Sequence, residues 1–303
     1  MVEIIGFEAA DPLLHWIQLT DALTTGHIAP NAELADTFLY RDENTLLNRS
    51  AWIKGMGVAV KCATVFPGNP AKGKGMIGGA VNLFSDEDGR LEAILDFHLV
   101  TKWKTAGDSL LGARKLARKD AKKILLVGAG TVGANLKSAY NTLYPDAKFT
   151  VWNRSPQGAE RFCEANPDVD IATDLEVAVG EADIVASATM TTEPIIKGDW
   201  LQPGQHIDLI GAYRPDMREV DDVALKRSRI FVDNIHTTAD HIGELKIPIA
   251  EGVINRDDII ADFYNLAAFE RASDDEITLF KNGGGAHLDL MTSRYILDAW
   301  TNR

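Results

Sequence analysis

The chain has 303 residues, of which 46% are hydrophobic and 25% charged, a composition typical of a globular protein long enough for two domains with buried cores. Its formal net charge of −13 disfavours a nucleic acid or a membrane surface as partner, because either would favour a basic face. The first residues, MVEIIGFEAADPLL, lack a basic region followed by an apolar run, and no apolar stretch approaches the ~20 residues that span a bilayer, so a cytoplasmic location is expected.

The segment before residue 120 mixes strand-like and helical patterns. Apolar runs bounded by glycine and turn residues predict strands at 57–66 (GVAVKCATVF), 79–84 (GAVNLF) and 91–97 (LEAILDF). Apolar residues spaced three to four apart then predict a helix over 101–118 (TKWKTAGDSLLGARKLAR). This order of elements indicates an α+β domain.

After Lys123 the pattern changes to strands that alternate with helices. The strand-like runs read ILLVG, KFTVW, ADIVASAT, HIDLIGAY and RIFVD, and helical segments begin at Val132 and about Pro156. Such alternation is typical of a parallel sheet that is covered on both faces. We therefore expect the α/β class, with a Rossmann-type doubly wound parallel sheet domain joined to the α+β domain.

A glycine motif stands at the first strand-to-helix turn. Residues 125–133 read LLVGAGTVG, so that Gly128, Gly130 and Gly133 form the pattern G-x-G-x-x-G directly after a strand. One glycine permits the tight turn, one lets the backbone approach a pyrophosphate, and one allows close packing of helix on strand. The residues expected to bind a dinucleotide here are Gly128, Ala129, Gly130, Thr131, Val132 and Gly133. The alternative is a glycine-rich turn that binds no ligand.

The end of the second strand bears on the choice of cofactor. An enzyme that uses NAD usually places an acid there for the ribose 2′-hydroxyl, whereas this chain has Asn153, Arg154 and Ser155. An amide, a guanidinium and a hydroxyl are donors that suit a 2′-phosphate, so NADPH or NADP is expected rather than NAD. The alternative is that Arg154 is a solvated surface residue and that Asn153 caps the next helix.

Residues at the ends of later strands are candidates to line the nicotinamide. Ligands of open parallel sheets lie beyond the carboxyl ends of the strands. The run ADIVASAT ends at Ala188 and Thr189, with Met190 next, and HIDLIGAY ends with Gly211 and Tyr213. We expect these residues to approach the nicotinamide, and we expect Tyr213 also to contact the substrate.

Two lysines are candidates to bind a substrate carboxylate. Lys61 interrupts the apolar run GVAVKCATVF, where a lysine would need a polar cavity beside the core. Lys104 falls in the first turn predicted for the 101–118 helix, where the helix dipole already favours anions. The alternative for Lys61 is an edge-strand lysine that faces water.

Five segments resemble, in the same order, the ornithine cyclodeaminase/mu-crystallin family of reductases. They are VKCATVFPGNP (60–70), TKWKTAGDSLLGARKLAR (101–118), the glycine motif with WNRS (125–155), GAYRPDMRE (211–219) and SDDEITLFKNGGGAHLDL (273–290). The resemblance implies a homodimer that reduces or transiently oxidises the Cα–N bond of small amino or imino acids. It also implies that 1–119 and 285–303 form a substrate-binding and dimerisation domain, and that 120–284 form an inserted dinucleotide-binding domain.

The same resemblance implies roles for single residues. The lysine before the VFPGN run, here Lys61, contacts the substrate and either holds its carboxylate or manages the proton on the imine nitrogen. Lys104 stands where the family usually has an arginine, and Thr105 resembles a threonine near the cofactor diphosphate. The family's upstream carboxylate arginine is missing from HIAPNAEL, so Arg49 is a candidate to replace it from a nearby loop, with Arg41 as the competing candidate. The alternative is that Arg49 is a solvated loop cation.

Tyr213 departs from the cyclodeaminases of the family, which carry an aspartate at the matching place to engage the side-chain amine of ornithine. A cyclic imine needs no such partner, and the segment AYRPD at 212–216 is closer to the mu-crystallin side of the family. We therefore expect NADPH-dependent reduction of a small cyclic imino acid, such as Δ1-pyrroline-2-carboxylate to proline. The alternatives are an ornithine cyclodeaminase-type lyase with a substitute carboxylate such as Asp216, an acyclic imino-acid reductase of the alanine dehydrogenase kind, and a protein that binds NADPH and a ligand without turnover.

The remaining polar residues receive no catalytic role. Cys62 and Cys163 lack metal-like spacing, so we expect buried free thiols and no metal site. His287 is expected to form structural hydrogen bonds, while Asp289 and Lys281 flank the glycine loop and order it.

Overall fold

The computed structural model describes residues 2–303, and its contacts divide the chain into two compact units. Unit 1 runs to Lys104 and resumes at Gly284–Arg303, and unit 2 is Thr105–Gly283. The first boundary therefore falls inside a helix. That 1–119 with 285–303 binds substrate and that 120–284 binds the dinucleotide stay predictions.

The secondary structure of residues 2–303 is mixed. The strands are β1 (Glu3–Ile5), β2 (Glu33–Arg41), β3 (Asn44–Ile53), β4 (Gly57–Val65), β5 (Ile77–Phe84), β6 (Leu91–Asp96), β7 (Lys123–Val127), β8 (Lys148–Trp152), β9 (Val169–Ile171), β10 (Ile184–Ser187), β11 (His206–Leu209), β12 (Ser228–Val232), β13 (Ile259–Ala261) and β14 (Ile277–Lys281). The α-helices are α1 (Phe7–Ala10), α2 (Trp16–Gly26), α3 (Phe97–Leu116), α4 (Thr131–Leu143), α5 (Pro156–Ala165), α6 (Leu175–Glu181), α7 (Asp222–Arg227), α8 (Ile235–Thr238), α9 (Gly243–Ala250) and α10 (Ala286–Thr301). None of the helices in this part of the chain is both long and apolar enough to cross a membrane.

Unit 1 is built on a six-stranded sheet in the order β1-β6-β5-β4-β3-β2. The strands from β2 to β6 are antiparallel to their neighbours, and β1 lies parallel to β6. Helix α10 packs on β3, β4 and β5, and α2 packs on α10. A Cβ atom at Gly26 would lie 2.7 Å from Met291 Sδ, so the glycine lets α2 approach α10 closely.

Unit 2 is built on an eight-stranded parallel sheet in the order β13-β12-β14-β11-β10-β7-β8-β9. The chain runs outward from β7 through β8 and β9 on one side, and through β10 and β11 on the other, so the order reverses between β7 and β10. The expected doubly wound parallel sheet is confirmed, and ligands of such sheets bind where the order reverses. The strands β10, β11 and β14 in the middle of the sheet are fully buried, and apolar residues of all three belong to a hydrophobic core of unit 2.

Two local predictions near the substrate-binding candidates were wrong. Helix α3 begins at Phe97 rather than at residue 101, because Asp96 Oδ1 accepts a hydrogen bond from Leu99 N (2.9 Å) and so satisfies the first turn. Lys104 therefore lies two turns inside the helix and not in its first turn. Arg49 lies within strand β3 and not in a loop.

Candidate functional site

Strand register brings two of the predicted cations together in unit 1. Arg49 on β3 lies directly opposite Lys61 on β4, and helix α3 supplies Lys104. Lys61 and Lys104 are only 6% and 5% exposed, so both ammonium groups must find partners inside the unit. Lys61 thus faces the interior, which excludes an edge-strand lysine in water.

Lys61 is held by a carboxylate, a hydroxyl and a ring. Its Nζ donates to Asp289 Oδ1 at 2.9 Å and to Thr101 Oγ1 at 2.8 Å. The same nitrogen lies 4.6 Å from the centroid of the Phe97 ring, a cation–π contact. Helix α10 positions the carboxylate, since Asp289 lies in its first turn and is buried.

The other two cations meet the segment that leads into α10. Lys104 Nζ lies 3.6 Å from Asp289 Oδ2 and donates to Gly284 O at 2.6 Å. Arg49 Nη1 donates to the same carbonyl oxygen at 2.9 Å, while its Nε pairs with the partly exposed Asp36 at 3.1 Å. Arg41, the competing candidate, is exposed at the end of β2. We call Arg49, Lys61, Lys104 and Asp289 the cation cluster.

The cation cluster carries excess positive charge. Burial raises the pKa of Asp289, but Lys104, Lys61 and Arg49 outweigh it and hold that pKa below its usual value. The buried carboxylate of Asp289 pairs with Lys61 and Lys104, and the partly exposed Asp36 pairs with Arg49. Ammonium and guanidinium groups of this kind can form charge-assisted hydrogen bonds with the carboxylate of a ligand.

His287 and His27 border the cation cluster. His287 is fully buried, and its ring centroid lies 5.3 Å from that of His27 in an edge-on contact. Burial lowers the pKa of His287 well below its usual value, and His27 and Lys104 lower it further. His287 is therefore neutral at physiological pH and adds no charge to the cluster.

Asp289 and Lys281 lie on either side of the glycine loop and have different partners. Asp289 belongs to the cation cluster of unit 1. Lys281 ends β14 in unit 2, where its buried Nζ donates to the carbonyl oxygens of Leu209 (2.9 Å) and Asn282 (2.7 Å).

The glycine motif of unit 2 forms a tight turn from β7 into α4. Gly128 has φ +113°, and a Cβ atom there would lie 2.8 Å from Ala188 O. A Cβ atom at Gly133 would collide with Gly128 O, so this glycine allows α4 to pack against the turn. Gly130 differs, because a Cβ atom there would meet nothing within 4 Å and would occupy open space.

The N-terminus of α4 is open toward the same turn. The helix begins at Thr131 with Gly130 as its N-cap, and no side chain accepts from its first N–H groups. Val132 lies in this first turn. Backbone N–H groups at a helix N-terminus that have no side-chain acceptor can bind a phosphate, and the helix dipole favours this binding.

Asn153 braces the glycine turn. Its Oδ1 accepts from Ala129 N at 3.1 Å, and its Nδ2 donates to Ser155 O at 2.9 Å. The N-cap of α5 is Ser155, so the alternative in which Asn153 caps this helix is excluded. Arg154 and Ser155 are exposed beyond β8, and Ser155 Oγ donates to Gln157 Oε1 at 3.1 Å.

The loops after β10 and β11 meet at a buried glutamate that was not among the predicted site residues. Glu219 accepts hydrogen bonds from Thr189 N (2.8 Å) and Gly211 N (2.7 Å). Met190 and Tyr213, on the same loops, are 75% and 59% exposed. The only sign of Glu219 in the sequence was its place inside the GAYRPDMRE segment.

Two other predicted residues have partners outside the cation cluster. Asp216 is exposed and pairs with Arg214 at 2.9 Å, so it is committed to a surface ion pair. Thr105 begins unit 2, and its carbonyl oxygen accepts from Asn282 Nδ2 at 3.0 Å.

The described residues contain no cluster of side chains that could bind a metal ion. Within residues 2–303, no three His, Cys, Asp or Glu side chains are placed so that they could hold a metal ion. Cys62 and Cys163 are free, and both are half-buried rather than buried as expected.

Comparison with known proteins gives the family. The model of the ornithine cyclodeaminase/mu-crystallin family matches residues 51–303. The Δ1-pyrroline-2-carboxylate reductase of Paracoccus denitrificans is 48% identical over 302 residues, which cover 97% of this chain and 96% of the relative. Ketimine reductase mu-crystallin of Rattus norvegicus is 29% identical over 74% of this chain and 70% of its own length.

A solved structure has the same fold along nearly the whole chain. The structure of Thermococcus litoralis Δ1-pyrroline-2-carboxylate reductase in complex with NADH and L-proline has a TM-score of 0.89 at 23% identity, and covers 99% of this chain and 98% of that one. With the family match over residues 51–303, these likenesses show that the chain belongs to the ornithine cyclodeaminase/mu-crystallin family and is an oxidoreductase.

Proposed function

We propose that this protein reduces a small cyclic imino acid to the amino acid with NADPH, and that Δ1-pyrroline-2-carboxylate is the first substrate to test. The observation that carries the proposal is the cation cluster, in which Lys61 and Lys104 pair with the buried carboxylate of Asp289 and Arg49 shares the carbonyl oxygen of Gly284 with Lys104. A site with this charge suits a substrate carboxylate. The 48% identity to a relative named for this reaction supports the choice of substrate.

The residues of the glycine turn fit a dinucleotide. Gly130 leaves open space, and the first N–H groups of α4 have no side-chain cap. Residues 128–133 would hold the pyrophosphate, with Thr105 beside it, and Ala188, Thr189, Met190 and Gly211 would line the nicotinamide. When bound, the reduced nicotinamide supplies a hydride to the imine carbon.

The preference for NADPH rests on the end of β8. No carboxylate stands at 153–155, and Arg154 offers a guanidinium at an exposed position. A guanidinium can form bidentate hydrogen bonds with a phosphate, whereas a ribose hydroxyl gains little from its charge. The side chain of Asn153 already bonds to Ala129 N and Ser155 O, so we assign discrimination chiefly to Arg154 and Ser155.

Lys61 is our candidate for the catalytic residue. An ammonium group has three N–H donors, and Asp289 and Thr101 accept two of those of Lys61, which leaves one for a ligand. This donor would hold the substrate carboxylate or give the imine nitrogen its proton. Arg49 and Lys104 would then bind the carboxylate, and Tyr213 supplies no negative charge for a second amine.

An absorbance assay of nicotinamide oxidation tests the proposal. Purified protein is mixed with NADPH or NADH and with cyclic ketimines of five and six ring members, or with pyruvate and ammonia. We expect turnover of the five-membered ketimine with NADPH. Turnover only with pyruvate and ammonia would replace the substrate by an acyclic imine, and turnover with NADH alone would contradict the role of Arg154.

Two further measurements distinguish a reductase from a lyase and from a binding protein. Release of ammonia from L-ornithine without net oxidation of NADPH would identify a lyase. Binding of NADPH without oxidation by any imine would identify a binding protein. The pairing of Asp216 with Arg214 argues against the lyase, because the substitute carboxylate is already engaged.

We also propose that the protein is a homodimer. One similar structure is described as an alanine dehydrogenase dimer, with a TM-score of 0.89. The side chains of Phe38, Leu39 and Tyr40 on β2 are exposed, and a second subunit could cover them. Light scattering coupled to size-exclusion chromatography should give twice the chain mass, and the chain mass alone would refute the dimer. The cytoplasmic location stays a prediction.

A further inference from the structure

Glu219 receives hydrogen bonds from two loops of unit 2. Its Oε1 accepts from Ser187 Oγ (2.6 Å), Thr189 N (2.8 Å) and Thr189 Oγ1 (2.9 Å) after β10. Its Oε2 accepts from Gly211 N (2.7 Å) and Ala212 N (3.1 Å) after β11. Five donors thus converge on one fully buried carboxylate, a group that offers only acceptors when ionised.

A second buried carboxylate holds Glu219 in place. Glu244 on α9 accepts from the backbone N–H of Glu219 at 2.7 Å and of Val220 at 3.1 Å. Both glutamates are 0% exposed. Burying two carboxylates costs free energy, so hydrogen bonds to each must offset that cost.

The two loops lie against each other where Glu219 joins them. A Cβ atom at Gly211 would collide with the backbone of Thr189 and would lie 2.7 Å from Glu219 Oε1. The glycine at 211 is therefore required by contact between the loops. The protein itself therefore explains the glycine at 211. At Gly130, in contrast, a Cβ atom would meet no protein atom within 4 Å.

We propose that Glu219 is a positioning residue that fixes Thr189 and Gly211 for the nicotinamide end of the cofactor. The proposal rests on the proposed function, since it assigns those two residues to the cofactor. Both follow strands at the carboxyl edge of a parallel sheet, where ligands of such sheets bind. One side chain therefore sets the spacing of two loops that would meet the reactive ring, and a misplacement of about 1 Å can cost roughly 100-fold in rate.

The test replaces Glu219 by glutamine and measures the cofactor-free and cofactor-bound protein. Glu219→Gln keeps the size of the side chain but turns one acceptor into a donor, so it opposes the N–H groups of one loop. We expect the Kd for NADPH, read from nicotinamide fluorescence, to rise about 10- to 100-fold and kcat to fall, because hydrogen bonds to a charged group are lost. We also expect faster amide hydrogen exchange at 188–191 and 210–213 in the cofactor-free protein, with exchange in β10 and β11 unchanged.

Two companion variants separate positioning from general damage. Glu193→Gln removes the same charge from an exposed side chain in the loop after β10, and it should behave as wild type. Ser187→Ala removes only one donor to Glu219 from a buried strand position, and it should shift the Kd and the exchange in the same direction by a few-fold. Ser187→Ala carries the test if Glu219→Gln does not fold.

The outcomes are distinct. Wild-type protein that binds neither NADPH nor NADH would overturn the proposed function and this inference with it. If wild-type protein binds NADPH and reduces the cyclic imine, and Glu219→Gln has the same Kd for NADPH as wild type, only the inference about Glu219 is overturned. Faster exchange without any change in Kd would show that Glu219 stabilises the loops and does not position the cofactor site.

Discussion

Asp289 joins the two buried lysines of the cation cluster. Its Oδ1 lies 2.9 Å from Lys61 Nζ, and its Oδ2 lies 3.6 Å from Lys104 Nζ. The carboxylate is buried, so both ion pairs act where water screens them little. Asp289 therefore keeps two like charges together in one site.

Asp289→Asn should destabilise the protein. The amide removes the negative charge between two buried ammonium groups, and breaking a buried pair costs about 3–5 kcal/mol of the free energy of unfolding. Urea unfolding measures this loss. Asp36→Asn, which removes the partly exposed partner of Arg49, should cost no more than about 1 kcal/mol. Equal losses in the two variants would contradict a special role for Asp289.

The same carboxylate predicts a pH dependence. The pKa of Asp289 is lowered in the folded protein from its usual 3.8, so its contribution to stability is full above that value and is lost as the pH falls below it. In urea unfolding below about pH 4, the difference between wild type and Asp289→Asn should therefore shrink. A difference that does not depend on pH would show that the ion pairs do not stabilise the fold.

Lys61→Met should abolish most of the reductase activity. The substitution keeps an unbranched side chain but removes the ammonium group, so we expect kcat/KM for the cyclic imine to fall about 100- to 10,000-fold. The Kd for NADPH should stay unchanged. Lys54→Met, at an exposed lysine of unit 1, is the matched control and should keep full activity. Activity within a few-fold of wild type in Lys61→Met would remove Lys61 from the mechanism.

Arg154→Gln should weaken discrimination between the two dinucleotides. Loss of a charge-assisted hydrogen bond predicts a rise of about 10- to 100-fold in the KM for NADPH, whereas the KM for NADH should not change. Arg161→Gln, at an exposed arginine of α5, is the control for a general loss of positive charge. An equal rise for both cofactors would mean that Arg154 does not recognise the 2′-phosphate.

Gly130→Ala should separate folding from binding. A Cβ atom at 130 meets nothing within 4 Å, so the free energy of unfolding should change by less than about 1 kcal/mol. The methyl group would occupy the open space beside the helix N-terminus, so the Kd for NADPH should rise at least about tenfold. Gly78→Ala in β5 also meets nothing within 4 Å and should leave both quantities unchanged. Normal binding by Gly130→Ala would exclude a pyrophosphate from this turn.

Asp208 predicts an opposite dependence of stability on pH. Burial raises its pKa to about 7, although Ser109 Oγ and Tyr140 OH donate to it. The folded state keeps a proton that the unfolded chain loses above its usual 3.8, so this contribution is full at low pH and is lost as the pH rises to about 7. Asp208→Asn cannot lose a proton. As the pH rises from roughly 4 to 7, the free energy of unfolding of the variant should therefore increase relative to that of wild type by about 1–4 kcal/mol. A difference between the two proteins that does not change with pH would contradict the raised pKa of Asp208.

Features set by neighbouring residues were predictable from the sequence. The glycine turn, the alternation of strands and helices, and the parallel sheet of unit 2 follow from local spacing, and the structure has all three. The start of α3 was predictable in principle, because Asp96 stands three residues before the N–H group that it caps. The apolar pattern of LEAILDF predicted a strand that continued through Asp96 and Phe97, so the N-cap was not recognised.

Features set by distant residues were not predictable from local patterns. Lys61 and Asp289 are 228 positions apart, and only the packing of α10 on β4 brings them together. Arg49 reaches the cluster through cross-strand register with Lys61, which depends on the lengths of β3 and β4. Glu219 joins two loops whose proximity follows from the order of parallel strands, and periodicity within one segment carries no such information.

The bonds of Asn153 limit how the dinucleotide preference can be redesigned. An aspartate at 153 would still accept from Ala129 N, but it would set a carboxylate oxygen against Ser155 O in place of a donor. The glycine turn would therefore lose one of the two hydrogen bonds that brace it. A test of the proposed dinucleotide preference should therefore change Arg154 and Ser155 and keep the amide of Asn153.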